Sequence, residues 1–310
     1  MDPTQRASDD VKNQPILTFD KKLKVGKLPQ DVYVRKDGEI VLACQGKDSR
    51  VLLLNASGKE KHTFNVDGFG DGQMQLDGPA GVCEDETHTY ASDTYNYRIV
   101  VYDKRTRKVV RVLCGNGEGS GKNQLNYPYQ VRILGKFLYV IDRYNHRVQI
   151  FSTKDWQVKH TFEDQFNEPL GLHVDDRNIF VTEAIGNCVN VFDTRTRKWV
   201  ATLGGNGDYE FYIPAGVCAT ASHVFVSDSW NGRIQVFERN SWRLVQSVKD
   251  VRGPRGMCMR NDRLYVACWH DESVRVFKDL HAVARQERGR LAAAVRTRTR
   301  RALWVLQNEN

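Results

Sequence analysis

The sequence predicts an all-β protein, a six-bladed β-propeller of four-stranded antiparallel blades, closed by the N-terminal strand completing the last blade. Three observations predict it. A segment of about 44 residues recurs six times. Within each copy apolar and polar residues alternate with a period of two. The sixth copy lacks its last strand, while the chain begins with a spare one.

The repeats are plain to the eye. Tyr90 to Tyr102 (YASDTYNYRIVVY), Tyr139 to Phe151 (YVIDRYNHRVQIF), Phe180 to Phe192 (FVTEAIGNCVNVF) and Phe225 to Phe237 (FVSDSWNGRIQVF) nearly superimpose. Tyr265 to Phe277 (YVACWHDESVRVF) keeps the frame, and Val41 to Leu54 (VLACQGKDSRVLLL) keeps it with one extra turn residue. Each copy is preceded by a proline, at 29, 79, 128, 169, 214 and 254, in steps of 50, 49, 41, 45 and 40.

Each copy reads as four strands. The first follows the proline, where the ring fixes φ at a strand entrance without removing a needed donor. The second ends at the Asp of Ser92-Asp93, and the third runs from Arg98 to Tyr102. The alternation in Arg147-Val-Gln-Ile-Phe151 is that of a half-buried strand. The fourth follows a polar turn, as in Lys108 to Leu113 and Lys198 to Leu203. The spare strand, Pro15 to Phe19, matches the fourth-strand pattern of Lys61 to Phe64. Placed on the last blade, it closes the ring and removes a free sheet edge.

Three regions follow: a disordered N-terminus over 1–14, the propeller over 15–278, and a basic tail over 279–310. The tail carries Arg296-Thr-Arg-Thr-Arg-Arg301, and Leu280, Val283, Leu291 and Val295 give it a weak helical stripe interrupted by Gly289. Of the 310 residues, 46 are Lys or Arg and 38 Asp or Glu, a net charge of +8. The tail, with seven Arg and three acids, supplies half of that excess. A hydrophobic share of 40% and a charged share of 27% suit a globular protein. No apolar run approaches the roughly 18 residues of a membrane span, and the first residues do not read as a secretory signal. Seven cysteines without paired spacing point to reduced thiols, and so to the cytoplasm or nucleus.

The frame Pro-x-Gly-Val followed by Tyr-Val-x-Asp-x-x-Asn-x-Arg-Ile-x-Val-Phe resembles the NHL repeat, with Asn145-His146-Arg147 standing at its naming triplet. The resemblance extends over residues 15 to 278. It implies a binding platform without enzymatic activity. Tripartite-motif NHL proteins use such propellers to bind RNA or to present substrates to a ubiquitin ligase. This sequence shows no RING, B-box, coiled coil or zinc-finger Cys-x-x-Cys pair, so an adaptor role would leave ligase chemistry to another chain. Some six-bladed families are enzymes with a metal in the central channel, which keeps a metal-dependent hydrolase or lyase as a distant alternative. The eight histidines do not recur at one blade position, so no ring of His ligands is expected. Neither a cofactor nor a small-molecule substrate is expected, and a monomer is.

The face formed by second-to-third strand turns and blade connectors is where a partner is expected. It gathers Tyr95, Arg98, Tyr129, Arg143, Tyr144, His146, Arg147, Trp230, Arg233, Arg255, Trp269 and His270. Rings interleaved with Arg suit base stacking with phosphate neutralisation, and equally a protein hot spot. The partner is therefore RNA or a protein. The bland reading has the rings covering blade rims and the Arg groups tied to carboxylates. Asp93, Asp142, Glu183 and Asp228 recur at one position. They read as turn caps that accept backbone N–H bonds, the Asp residues pairing with the Arg five residues on (Arg98, Arg147, Arg233). Trp156, Trp199 and Trp242, near third-to-fourth strand turns, read as packing residues.

Overall fold

The computed structural model describes residues 15–47, 49–64, 70–72, 75–163, 166–204 and 210–281. The expected disorder of 1–14 and all of the tail beyond His281 lie outside the described residues, as does Tyr209. Strand β1 (Leu17–Lys24) is followed by the first blade, β2 (Leu28–Val34), β3 (Ile40–Gln45), β4 (Arg50–Leu54) and β5 (Glu60–Thr63). The second holds β6 (Val82–Glu84), β7 (His88–Asp93), β8 (Arg98–Asp103) and β9 (Val109–Leu113). The third holds β10 (Pro128–Leu134), β11 (Phe137–Asp142), β12 (Arg147–Ser152) and β13 (Val158–Phe162). The fourth holds β14 (Pro169–Val174), β15 (Asn178–Glu183), β16 (Cys188–Asp193) and β17 (Trp199–Gly204). The fifth holds β18 (Pro214–Ala219), β19 (His223–Asp228), β20 (Arg233–Glu238) and β21 (Leu244–Val248). The sixth holds β22 (Pro254–Arg260), β23 (Arg263–Cys268) and β24 (Ser273–Asp279), with β1 as its outer strand.

Six four-stranded antiparallel sheets thus form a ring whose inner strands β2, β6, β10, β14, β18 and β22 touch in sequence and back to the start. The closing strand is longer than its sequence motif. It pairs from Leu17↔Asp279 to Lys24↔Ser273 and steps over a bulge between Phe19 and Lys21. The bulge and its lysines keep this outer edge from pairing with another chain.

The core lies between blades rather than within them. Six apolar clusters form, each spanning two neighbouring blades; one joins Tyr139, Ile150 and Phe162 to Leu172, Ile179 and Phe192. Near the outer end of each third strand from the second blade onward sits a buried ring: Tyr102, Phe151, Phe192, Phe237 and Phe277. Burial of each contributes about 1.5–3 kcal/mol.

A second staple comes from the third-to-fourth strand turns. Arg107, Trp156, Arg197 and Trp242 all hold φ between 56° and 61°, each with its N–H bonded to the carbonyl four residues back. Trp156 meets Tyr90 and His88 of the blade before, and Trp242 meets Phe180. Trp199 does not pack. It falls two residues past the stapling position and stands 60% exposed on β17.

Along the axis the inner strands crowd at one level, two residues past each proline. A Cβ at Gly81, Gly171 or Gly216 would meet a neighbouring strand's carbonyl oxygen at 2.2–2.4 Å, so glycine is required there. The sixth blade places Gly256 at this level, where a Cβ would meet Asp31 Oδ1, and the first and third blades place Asp31 and Gln130 there. Asp31 accepts two bonds from Arg132, at 2.7 and 3.0 Å, one from Gln130 Nε2 at 3.1 Å, and one from the backbone N–H of Val82 at 3.0 Å. Gln130 in turn accepts from Leu172 N at 2.8 Å. This network links four blades. Beneath it a cavity of about 270 Å³ is lined by Cys83, Arg132, His173, Cys218, Cys258 and Arg260, among others.

Candidate functional site: an aromatic face of repeated turns

The turns on the proline-connector face share one wiring. Register places Asp93 opposite Arg98, Asp142 opposite Arg147 and Asp228 opposite Arg233, and each Arg Nε donates to its Asp at 2.6–2.7 Å. The same carboxylates accept from Asn96, Asn145 and Asn231 at 2.9–3.0 Å. They also accept a backbone N–H from sixteen residues upstream: Asp77 to Asp93, Asn126 to Asp142, Tyr212 to Asp228, and in the fourth blade Asn167 to Glu183. Each carboxylate thereby ties a blade to its incoming connector. Glu183 has no Arg five residues on; Asn190 bonds it instead at 2.5 Å. Burial pushes the Asp93 carboxyl up, against the bonds from Asp77, Asn96 and Arg98 that stabilise its charge.

This wiring consumes guanidinium donors. Arg98 is buried and bonds Asp93 and the carbonyls of Asp71, Gly72 and Gln75. Arg147 is likewise buried on Asp142, Ser120, Gly121 and Gln124. Arg233, half-buried, bonds Asp228 and the Glu210 carbonyl. Arg143 pairs with Glu168 at 2.6 Å and lies over the rings of Tyr144 and Tyr129, 4.8 and 5.9 Å from their centroids.

Two aromatic clusters remain on the surface. On the second and third blades, Tyr127 meets Tyr95 at 5.2 Å, Tyr97 at 5.9 Å and Tyr144 at 4.6 Å. Tyr129 lies nearer the axis, its hydroxyl 3.3 Å from Gln30 Oε1. On the fifth and sixth blades, Trp230 meets Tyr212 at 5.4 Å and Trp269 meets His270 at 4.9 Å, with Arg255 over Trp269 at 5.4 Å. His146 Nδ1 faces Glu168 N at 3.3 Å, apart from both ring clusters. Tyr95, Tyr144, Ile185 and Trp230, at one repeat position, are 39–61% exposed. Phe211 of the connector is buried in the core, while Tyr212 beside it is exposed. Tyr212 escaped sequence reasoning, although counting sixteen residues back from Asp228 would have found it.

Lys249 and Arg252 line one hollow at the fifth blade, and Arg255 lies over Trp269; none of the three makes an ion pair among the described residues. A larger concavity of about 840 Å³ lies on the opposite face, where Glu84 is enclosed by Arg35, Thr89 and Lys104. Among the described residues no three His, Cys, Asp or Glu side chains stand close enough to hold a metal ion, and no helix is long and apolar enough to cross a membrane.

Fold and site together define a closed six-bladed propeller presenting a face of repeated, aromatic-tipped turns, a binding architecture. The NHL repeat family matches residues 211–237, which run from the last connector residues through the third strand of the fifth blade. With six four-stranded blades in the ring, that match supports an NHL-repeat β-propeller. No curated protein matches the sequence.

Proposed function

We propose that the chain is a non-enzymatic binding platform whose aromatic face recognises a protein segment. One observation carries the choice of protein over RNA: the guanidinium groups of Arg98, Arg143, Arg147 and Arg233 are bonded internally, while the rings of Tyr95, Tyr144 and Trp230 stand exposed. Exposed Tyr and Trp on a rigid scaffold are hot-spot chemistry. An adaptor role in ubiquitin turnover would use the same face to hold the substrate, with a ligase supplied by another chain. The seven cysteines, all free, favour a reducing compartment, the cytoplasm or nucleus.

The test is affinity capture with wild-type protein and the Tyr144→Ala and Trp230→Ala variants, beside a titration with single-stranded RNA at low and high salt. A protein partner lost in one or both variants, with folding intact, supports the proposal. RNA binding that weakens steeply with salt and with the same variants would replace it by the nucleic-acid reading.

A further inference from the structure

We infer that the tyrosine ridge on the second and third blades is a docking site for a proline-rich segment in the polyproline II conformation that carries a basic residue. The inference rests on the reading of this face as a protein-binding surface and names its partner's chemistry.

The rings form an alternating relief rather than a cage. Tyr95, Tyr127 and Tyr144 stand at interplanar angles of 82° and 50° with centroid steps of 5.2 and 4.6 Å. The two steps together are comparable in length to one turn of a polyproline II helix, about 9 Å over three residues. Such a helix lays its rings into shallow aromatic-lined grooves and loses little conformational freedom on binding.

Its backbone also makes no internal hydrogen bonds, so its carbonyls seek donors. Among the described residues the hydroxyls of Tyr95, Tyr127 and Tyr144 take no hydrogen bond, unlike those of Tyr90 and Tyr129. A tyrosine phenol is protonated at neutral pH and so can donate, and burial pushes those of Tyr95 and Tyr127 further up.

Charge supplies the second half of the match. Asp77 lies beside Tyr95 and Tyr127, and Glu118, which accepts from Asn126 Nδ2 at 3.0 Å, lies beside Tyr97. Glu168 and Arg143 cancel, as do the Asp–Arg pairs of the turns beneath. The ridge is therefore flanked by net negative charge. That opposes a phosphate backbone and favours an Arg or Lys beside the prolines.

The probe is a synthetic oligoproline of about ten residues containing one arginine, titrated against the full chain by fluorescence anisotropy. Binding is expected, at least about tenfold weaker in Tyr95→Ala and Tyr144→Ala and unchanged in Trp199→Ala, whose ring stands exposed on an outer strand away from this face. Replacing the peptide's arginine by glutamate is expected to weaken it further. Tyr144→Phe, which keeps the ring, separates the hydroxyl from the stacking. Absence of binding, or binding indifferent to the tyrosine variants, overturns the inference. If a captured protein partner is still lost in Tyr144→Ala, the wider reading of the face survives that failure. Binding of single-stranded RNA that is lost in the same tyrosine variants, with no peptide binding, would overturn both.

Discussion

Asp31 of the first blade and Arg132 of the third meet across the propeller axis in a bidentate pair, 101 residues apart in sequence. The Asp31 side chain is fully buried and that of Arg132 only 14% exposed. Removing one partner leaves the other charge buried and uncompensated, which costs about 3–5 kcal/mol. Asp31→Ala should therefore lower the thermal midpoint by roughly 10 °C, at about 2–4 °C per kcal/mol for a chain of this size or somewhat less. The double variant Asp31→Gly with Arg132→Leu installs the glycine that four other blades carry and removes both charges, and should recover most of the loss. A single variant as stable as wild type would show that the pair holds nothing together.

The turn carboxylates act more locally. Asp142→Ala strips the acceptor from Asn126 N, Asn145 and Arg147 at once and strands a buried guanidinium. The expected cost is about 3 kcal/mol, and Asp142→Asn, which keeps an oxygen for Asn126 N, should lose about half of it. Hydrogen exchange should rise in the connector ending at Asn126 and in the turn 143–146, with the fifth blade unchanged. Uniform loosening of all blades would contradict a cap that works blade by blade.

What the sequence made legible is what repeats locally. The prolines, the period-two strands and the Asp-to-Arg spacing of five recur because each blade solves one local problem, and the spare N-terminal strand followed from counting. The sixteen-residue link from each carboxylate to its connector is also constant, since the first two strands and their turn keep one length. It was legible only once the acceptor was known to look backwards. Asp31 with Arg132 was not legible, because ring closure rather than spacing brings the first and third blades together. The only sign was an Asp and a Gln where four copies have glycine. Trp199 failed for a subtler reason: two residues of register separate a stapling position from an exposed strand.

His173 gives the fold an acid-sensitive point. Burial, aided by the charges of Arg132 and Arg239 and opposed by the Asp175 carboxylate, pushes its imidazole below the usual value. A group depressed in the folded state is protonated first in the unfolded chain. Its contribution is thus present above about pH 6.5 and lost as pH falls toward the folded value. Burial alone would raise Asp175, but the His173 ring 3.5 Å away and bonds from Arg239 and two backbone N–H groups hold it far below the carboxylate range, so its contribution is lost only below about pH 4. His62 and His160 are also depressed, so the informative quantity is a difference. The fall in thermal midpoint between pH 7 and 5 should be shallower in His173→Gln than in wild type. Parallel curves would place the acid sensitivity elsewhere.

Gly78 and Tyr95 link backbone conformation to the binding face. Gly78 holds φ at +61°, and a Cβ there would fall 2.1–2.2 Å from atoms of the Tyr95 ring. Gly26 shares the conformation, with φ at +59°, but a Cβ there meets nothing within 4 Å. Alanine at either site bears the same backbone cost of about 1–2 kcal/mol. Only at Gly78 must a ring also move. Gly26→Ala should therefore lose stability while leaving partner binding intact, and Gly78→Ala should lose both. The ring it displaces stacks on Tyr127, whose other edge holds Tyr144, so the disturbance should spread along the tyrosine ridge and spare Trp230. Tryptophan fluorescence unchanged in Gly78→Ala, beside weakened peptide binding, is the expected pair of results. Equal binding by the two alanine variants would mean that Tyr95 is a bystander on this face.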